Sequence, residues 1–389
     1  MGRAPLEVSA RVFLHRPLCA PSLLARILGP DGHGALEGAL SLPGHSLAQG
    51  PAAGAIPSLV AGGRDREPVE GEIWALTPEA LARLDRFMAF QGGRRCDLPG
   101  TDAGPGGVQG YFRDSESIEA WDPDDWGPRL LAIMEHAAVE ILDLDPGRGR
   151  GLHGDAERDP AGRLNNILVR AAARLRAGKG SRPRHAEGPG REAVDVRADR
   201  VSHDGFFQTR TTELRHPRFD GGLCDWMERE CFVAADAVTV LPYDPSRDRV
   251  MLAEQFRGSL YLRGEAYPWS IEPLAGRIDP GEEAAAAARR EVREEASLEI
   301  GALERIAGYY PATGTTTEYV ISYIGLAELP DGAGGIGGEA SEGEDIRTFV
   351  LPFDEAMALM AEDQTRNAPL IISLLWLAAN RERLRAGGA

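Results

Sequence analysis

Lysine is almost missing from this chain. Lys179 stands alone, and arginine supplies the rest of the 43 basic residues. Acidic residues outnumber them at 60, which leaves a formal net charge of -17. Nucleic acid and anionic membranes both demand a basic surface against their phosphates, so this balance argues against either as a main partner. It leaves room for a small pyrophosphate ligand, whose charge a metal ion and a few arginines can meet. Cysteine is scarce too: Cys19, Cys96, Cys224 and Cys231 form no CxxC pair, and no histidine flanks them at zinc-finger spacing. Free thiols in a reducing compartment are the expectation. Long apolar runs are also lacking. Residues 370–379 are apolar, well short of the roughly 20 residues a spanning helix needs. The N-terminus shows no basic region followed by a continuous apolar stretch, so no signal peptide is visible. A soluble cytoplasmic protein is expected.

At 389 residues with 43% hydrophobic content, the chain exceeds one ordinary core and points to two domains. Three sections separate. Residues 1–145 hold apolar segments that end in a helical pattern, with Leu130, Leu131, Met134, Ala138, Ile141 and Leu142 on one face and residues 122–125 available as a cap. Residues 146–193 are rich in Gly, Arg and Pro and read as a linker carrying one helix near 163–175. Within it, Gly149, Gly151 and Gly154 satisfy G-x-G-x-x-G without the strand and helix a dinucleotide site requires. A basic cluster there (Arg170, Arg174, Arg176, Lys179, Arg182, Arg184) reads as solvated linker rather than an RNA contact.

The section from 194 to 389 interleaves strands and helices. β-branched runs at 237–242 and 250–255, separated by Asp244-Pro245-Ser246-Arg247-Asp248, read as a hairpin. Further strands are expected at 267–274, 319–327 and 346–351, with helices at 282–295, 353–361 and 369–384. Such interleaving suggests a sheet between helices.

The chemistry concentrates at residues 276–298, GRIDPGEEAAAAARREVREEASL. Glu291, Glu294 and Glu295 stand at i, i+3 and i+4, on one helix face. Like charges at that spacing cost about 0.2–0.5 kcal/mol each in an isolated helix. A divalent cation reverses the penalty, because magnesium selects hard oxygen donors. A solvated Glu/Arg helix is the plain alternative.

Gly276, Glu282, Arg290, Glu291, Val292, Glu294, Glu295 and Leu298 together match G-x5-E-x7-R-E-U-x-E-E-x-G-U with U aliphatic, and the segment resembles the Nudix box. Ser297 stands where that pattern has glycine. The position lies just past the helix, where a left-handed conformation is common. A serine forced into it costs about 1–2 kcal/mol, which is strain and not loss of a ligand. The flanks EPLAG (272–276), EQFR (254–257), YYPATGTTTE (309–318) and GIGGEASEGEDIR (335–347) are similar to the ADP-ribose pyrophosphatase family, from about Trp226 to the C-terminus.

That resemblance implies a Nudix α/β/α sandwich with a mixed sheet and hydrolysis of ADP-ribose to AMP and ribose 5-phosphate. The ion is Mg2+, with Mn2+ as an alternative. Glu291 and Glu295 would bind it directly, Glu294 directly or through water, and the backbone carbonyl of Ala275 would add a ligand. Arg290 would pair with Glu282 and brace the helix. The acidic loop would supply the base, with Glu342 the best match and Glu344 the second. Arg257 and Arg229 match positions near the substrate phosphates and terminal ribose or base. Glu272 is a further candidate for substrate or a metal-bound water. Dimers build the substrate site jointly in that family, so a homodimer is expected. Ala312-Thr313-Gly314 replaces the usual Ser-Pro-Gly, which leaves other nucleoside diphosphate sugars as alternative substrates. A nucleotide-binding sensor is a third reading.

VFLHRPLCAPSLL (12–24) and VEGEIWALTPEALARLDRF (69–87) resemble the γ-glutamylcyclotransferase-like fold. The expectation is a smaller β-barrel-like α+β domain ahead of the Nudix unit, making the whole chain α+β. His15, Arg16, Pro17 and Leu18 occupy the place of that family's Tyr-Gly-Ser/Thr-Leu, and Met88 the place of its catalytic glutamate. Pro17 has no N–H to donate, and a thioether is no general base. The domain is therefore expected to lack that chemistry, with His15 a structural residue.

Overall fold

The computed structural model describes residues 8–29, 34–61, 67–99, 107–113, 120–122, 126–144, 160–339, 343–362 and 364–387. The chain divides into two compact units, Met1–Val233 and Ala234–Ala389. No helix among the described residues is long and apolar enough to cross a membrane.

In the first unit, β1 (Ala10–His15) runs between β5 (Val69–Leu76) and β7 (Val108–Phe112), antiparallel to the former and parallel to the latter. The sheet extends through β2 (Gly34–Leu42) on one side, and through β4 (Ser58–Ala61) and β3 (His45–Ala48) on the other. A short β6 (Arg94–Asp97) pairs with β7. Alternation along β1 serves two cores: Val12 and Leu14 join a helical cluster, while Phe13 faces Leu59, Leu98 and Val108. Among the described residues this sheet does not close. Its path ends at β2 and β3, which corrects the barrel-like expectation.

Four helices cover the first core: α1 (Pro21–Leu28), α2 (Pro78–Phe90), α3 (Pro128–Asp143) and α4 (Pro160–Ala177). α3 begins with Gly127 in the cap position and no side-chain cap, so the aspartate cap expected at 122–125 is not used at Asp122. Residues 123–125 fall outside the described set. α4 is no solvated linker. Leu164, Ile167, Leu168, Ala171 and Ala172 are buried in the core, and Arg170 is 3% exposed. Arg170 donates to Glu140 Oε1 at 3.0 and 2.5 Å, and Gln208 donates to the same oxygen at 3.1 Å. The glycines at 149, 151 and 154 lie outside the described residues. A three-stranded antiparallel meander of β8 (Asp195–Asp204), β9 (Gln208–Arg215) and β10 (Met227–Val233) groups with this unit by contact.

The second unit is a mixed sheet between helices. β11 (Ala237–Asp244) pairs parallel with β16 (Val320–Leu326) and antiparallel with β12 (Arg249–Phe256) and β14 (Leu274–Arg277). β15 (Leu303–Tyr309) closes one edge, and β18 (Ile346–Pro352) with β17 (Gly334–Gly337) the other. β13 (Trp269–Glu272) pairs with β12. The single strand expected at 267–274 is thus two strands with different partners. Pro273 between them has no N–H for a ladder. Val238 and Val240 face α6 (Ala284–Ala296), whereas Leu241 and Tyr243 face α7 (Phe353–Ala361) and α8 (Ala368–Gly387). The hairpin turn is set by Asp244, whose carboxylate accepts from Ser246 N at 2.9 Å, Arg247 N at 3.0 Å and Leu329 N at 2.9 Å.

Candidate active site

α6 forms because five consecutive alanines, Ala284 to Ala288, favour helix. Ala287, Ala288 and Val292 turn inward onto the sheet, which fixes the direction of the glutamates. The helix stops at Ser297, whose φ of 50° and ψ of 35° are left-handed, as its position in the motif leads one to expect.

Glu295 is 2% exposed, and its Oε2 accepts from Ala275 N at 3.1 Å. Burial raises its carboxyl to about 9; the Ala275 amide and Arg257 pull it down, while Glu291 and Glu344 push it up. Glu291 is raised to about 7, again first by burial, against the nearby Arg290 and with Glu294 and Glu344 adding to the rise. In both groups burial outweighs the arginine nearby and disfavours the charged form. Gly276 lies beside them on β14, and a Cβ built there would overlap the Glu291 carboxylate. The bare glycine is what gives that side chain its seat.

Arg290 gathers the exposed side of the cluster. Its Nη1 donates to Glu291 at 2.8 Å and Glu294 at 2.9 Å, and its Nε and Nη2 donate to Glu282 at 3.1 and 3.0 Å. Nη2 also donates to the Arg277 carbonyl at 3.0 Å. The expected Arg290–Glu282 brace is present in this geometry. Among the described residues, no three carboxylate, imidazole or thiol groups converge closely enough to hold an ion as they stand. Glu291 and Glu294 are turned to Arg290, and Glu295 to the Ala275 amide. The residues nonetheless fit a hard cation: the donors are oxygens, two of the three glutamates are largely buried, and their i, i+3, i+4 spacing puts all three on one face of α6.

Beside the cluster a cleft of about 990 Å3 opens, lined by Thr239, Arg257, Glu272, Ala275 and Glu318 among others. That is the upper end of the size of small-molecule sites. Arg257 Nε donates to both Glu272 oxygens at 3.1 Å, and Nη2 reaches Oε2 at 2.5 Å. Glu272 is 5% exposed, so this fork fixes the arginine at the cleft wall. Tyr267 and Trp269 present rings 5.6 Å apart at the same cleft. Glu318 carried no role in the sequence reading; burial raises its carboxyl, with Arg257 opposing. Its signal was its place at the end of the YYPATGTTTE segment (309–318).

Glu344 Oε2 accepts from Glu339 N at 3.1 Å, and its charge acts on both Glu291 and Glu295. Glu342 lies outside the described residues. Arg229 belongs to the first unit, on β10, where Nη1 donates to the Glu228 carbonyl at 2.9 Å. His15 is buried there, with Nδ1 2.8 Å from the Arg16 carbonyl, and burial lowers its imidazole to about 4. Met88 is fully buried in the helical core.

The NUDIX domain model matches residues 233–373. The ADP-ribose pyrophosphatase of Escherichia coli strain K12 is 34% identical over 196 residues, covering 50% of this chain and 93% of that protein. The ADP-ribose pyrophosphatase of Haemophilus influenzae is 30% identical over 194 residues, covering 49% of this chain and 89% of its own. The GDP-mannose pyrophosphatase of Klebsiella pneumoniae is 28% identical over 184 residues, covering 47% of this chain and 91% of its own. Together with the carboxylate-bearing helix packed on a mixed sheet, these similarities place the chain in the Nudix family.

Proposed function

We propose that the second unit hydrolyses the pyrophosphate bond of ADP-ribose, giving AMP and ribose 5-phosphate. The observation that carries this reading is the set of three glutamates on one face of α6, two of them largely buried, beside a cleft of nucleotide size. Mg2+, or Mn2+ in its place, would supply Lewis-acid stabilisation of the phosphate charge when bound. Glu291, Glu294, Glu295 and the Ala275 carbonyl would hold it. Arg257, steadied by Glu272, would orient the diphosphate in the cleft. Glu342 or Glu344 would take the proton from the attacking water; the charge Glu344 exerts on the cluster supports a place for that loop at the reacting phosphate. Arg290 would keep the helix carboxylates in register without touching substrate.

The similarity to GDP-mannose pyrophosphatases supports one other reading, the same chemistry on a different nucleoside diphosphate sugar. A homodimer fits the exposed run Phe256, Tyr261, Tyr267 and Trp269, with Arg229 brought to substrate in the assembly. Four free cysteines suit the cytoplasm. The first unit would be a cyclotransferase-type domain without cyclotransferase chemistry, with Met88 as packing. The test is product analysis with ADP-ribose, GDP-mannose and UDP-glucose, with and without Mg2+. Metal-dependent AMP from ADP-ribose in clear excess supports the reading. Preference for another substrate replaces it, and binding of ADP-ribose without turnover of any substrate favours a sensor.

A further inference from the structure

The edge strand β17 is built almost wholly of glycine, GGIG at 334–337, and it carries the chain into the acidic loop. It is held to β18 in antiparallel register, Gly334 opposite Phe349 and Gly337 opposite Ile346. Its glycines are not equivalent. A Cβ built on Gly335 meets nothing within 4 Å. A Cβ built on Gly337 would overlap the carbonyl oxygen of Glu295, a backbone atom in the last turn of α6 that cannot swing aside. The next residue, Gly338, has φ of +98°, and a Cβ there would lie 2.9 Å from Glu344 Cβ. Glu344 is in turn tied to Glu339 by its side chain, at 3.1 Å, and by its own amide, at 3.3 Å. An unbroken line of close contacts therefore runs from the Glu295 backbone through Gly337 and Gly338 to the Glu344 carboxylate.

We propose that Gly337 is a positioning residue: the missing side chain seats β17 on the carbonyl of Glu295 and so sets the reach of the Glu344 carboxylate to the site on α6. This rests on the hydrolase reading given above. A methyl group at 337 lifts the strand off the helix and moves the loop carboxylate by a fraction of an ångström to an ångström. Misplacement on that scale is worth on the order of 100-fold in rate. The side-chain hydrogen bonds of Arg257 go to Glu272 and not to Gly337 or Glu344, so the change is expected to fall on kcat more than on KM.

The test compares wild type, Gly335→Ala, Gly337→Ala, Glu344→Gln and the Gly337→Ala/Glu344→Gln double variant on ADP-ribose, with folding followed by circular dichroism. Gly335→Ala adds the same methyl group to the same edge strand where there is space, and is expected to behave as wild type. Gly337→Ala is expected to lose about 100-fold in kcat with KM within about twofold. The double variant is expected to be no slower than Glu344→Gln alone, because both changes act through one carboxylate. Equal kcat for Gly335→Ala and Gly337→Ala overturns the proposal, as does full additivity in the double variant. An inactive wild type sinks the hydrolase reading instead, which keeps the two failures distinct. Should Gly337→Ala not fold, hydrogen–deuterium exchange on wild type decides. Amides at 337–339 protected to the same degree as the last turn of α6 support the seat, and fast independent exchange there overturns it.

Discussion

Replacing Gly276 by alanine separates the site from the fold. The atoms nearest the new Cβ are the Cδ and carboxylate oxygens of Glu291, the free end of a flexible side chain. Gly276 has no positive φ, so its backbone accepts alanine without strain. The pairing of Val238 with Gly276 and Thr239 with Ala275 is therefore expected to persist. What gives way is the Glu291 carboxylate, which has to leave its seat between β14 and Arg290. Disturbing the support of one metal ligand costs about 10–100-fold in metal affinity or activity. The expected result is an unchanged melting temperature in the absence of metal, a raised Mg2+ requirement and a fall in kcat/KM of about 10–100-fold. Wild-type turnover and wild-type Mg2+ dependence in a folded Gly276→Ala protein refute the placement of Glu291 at the metal.

Further outcomes follow from the same contacts. Ser297→Gly relieves left-handed strain of about 1–2 kcal/mol but costs about 0.5–1 kcal/mol in chain entropy. A small rise in melting temperature with unchanged kcat is expected, and a clear fall argues against strain at that cap. Arg170→Ala leaves Glu140 buried without its main partner, which typically costs about 3–5 kcal/mol. Denaturant unfolding that shows no loss returns α4 to the role of linker. Asp244 is held below the ordinary carboxylate range: burial opposes this, but the Ser246 hydroxyl and the amides of Leu329 and Arg247 outweigh it. A depressed carboxyl stabilises above its unfolded pKa and loses that contribution as pH falls through the folded value. Asp244→Asn is therefore expected to cost about 1–3 kcal/mol near neutrality and less in acid. A cost that does not shrink in acid contradicts the assignment.

Much of the second unit is legible in the sequence because it is written in local signals. Carboxylates at i, i+3 and i+4 and the Arg290–Glu282 spacing need only helix geometry, and Ser297 needs only the helix end. β17 was invisible because a strand of glycines has no side-chain alternation; only its backbone pairing with β18 identifies it. The split at Pro273 was readable from the missing N–H, although 267–274 was expected as one strand. α4 failed differently. Leu164, Ile167, Leu168, Ala171 and Ala172 have the spacing of a buried helix face, but arginines between them and glycines around them suggested solvent. A guanidinium answered by Glu140 is core material, and that partner lies 30 residues away. Sequence composition carries no trace of such a distant pairing. The cleft is likewise a product of tertiary assembly, since Glu318, Arg257 and Glu272 come from three separate segments.

Glu295, the most buried carboxylate of the cluster, is the proposed partner of a divalent cation in attack on a pyrophosphate. The most direct measurement is AMP release from ADP-ribose by wild type and Glu295→Gln, over a range of Mg2+ concentrations. Metal-dependent turnover in wild type and its loss in a Glu295→Gln protein of native melting temperature is the predicted result. Equal Mg2+-dependent turnover in the two proteins would contradict the account.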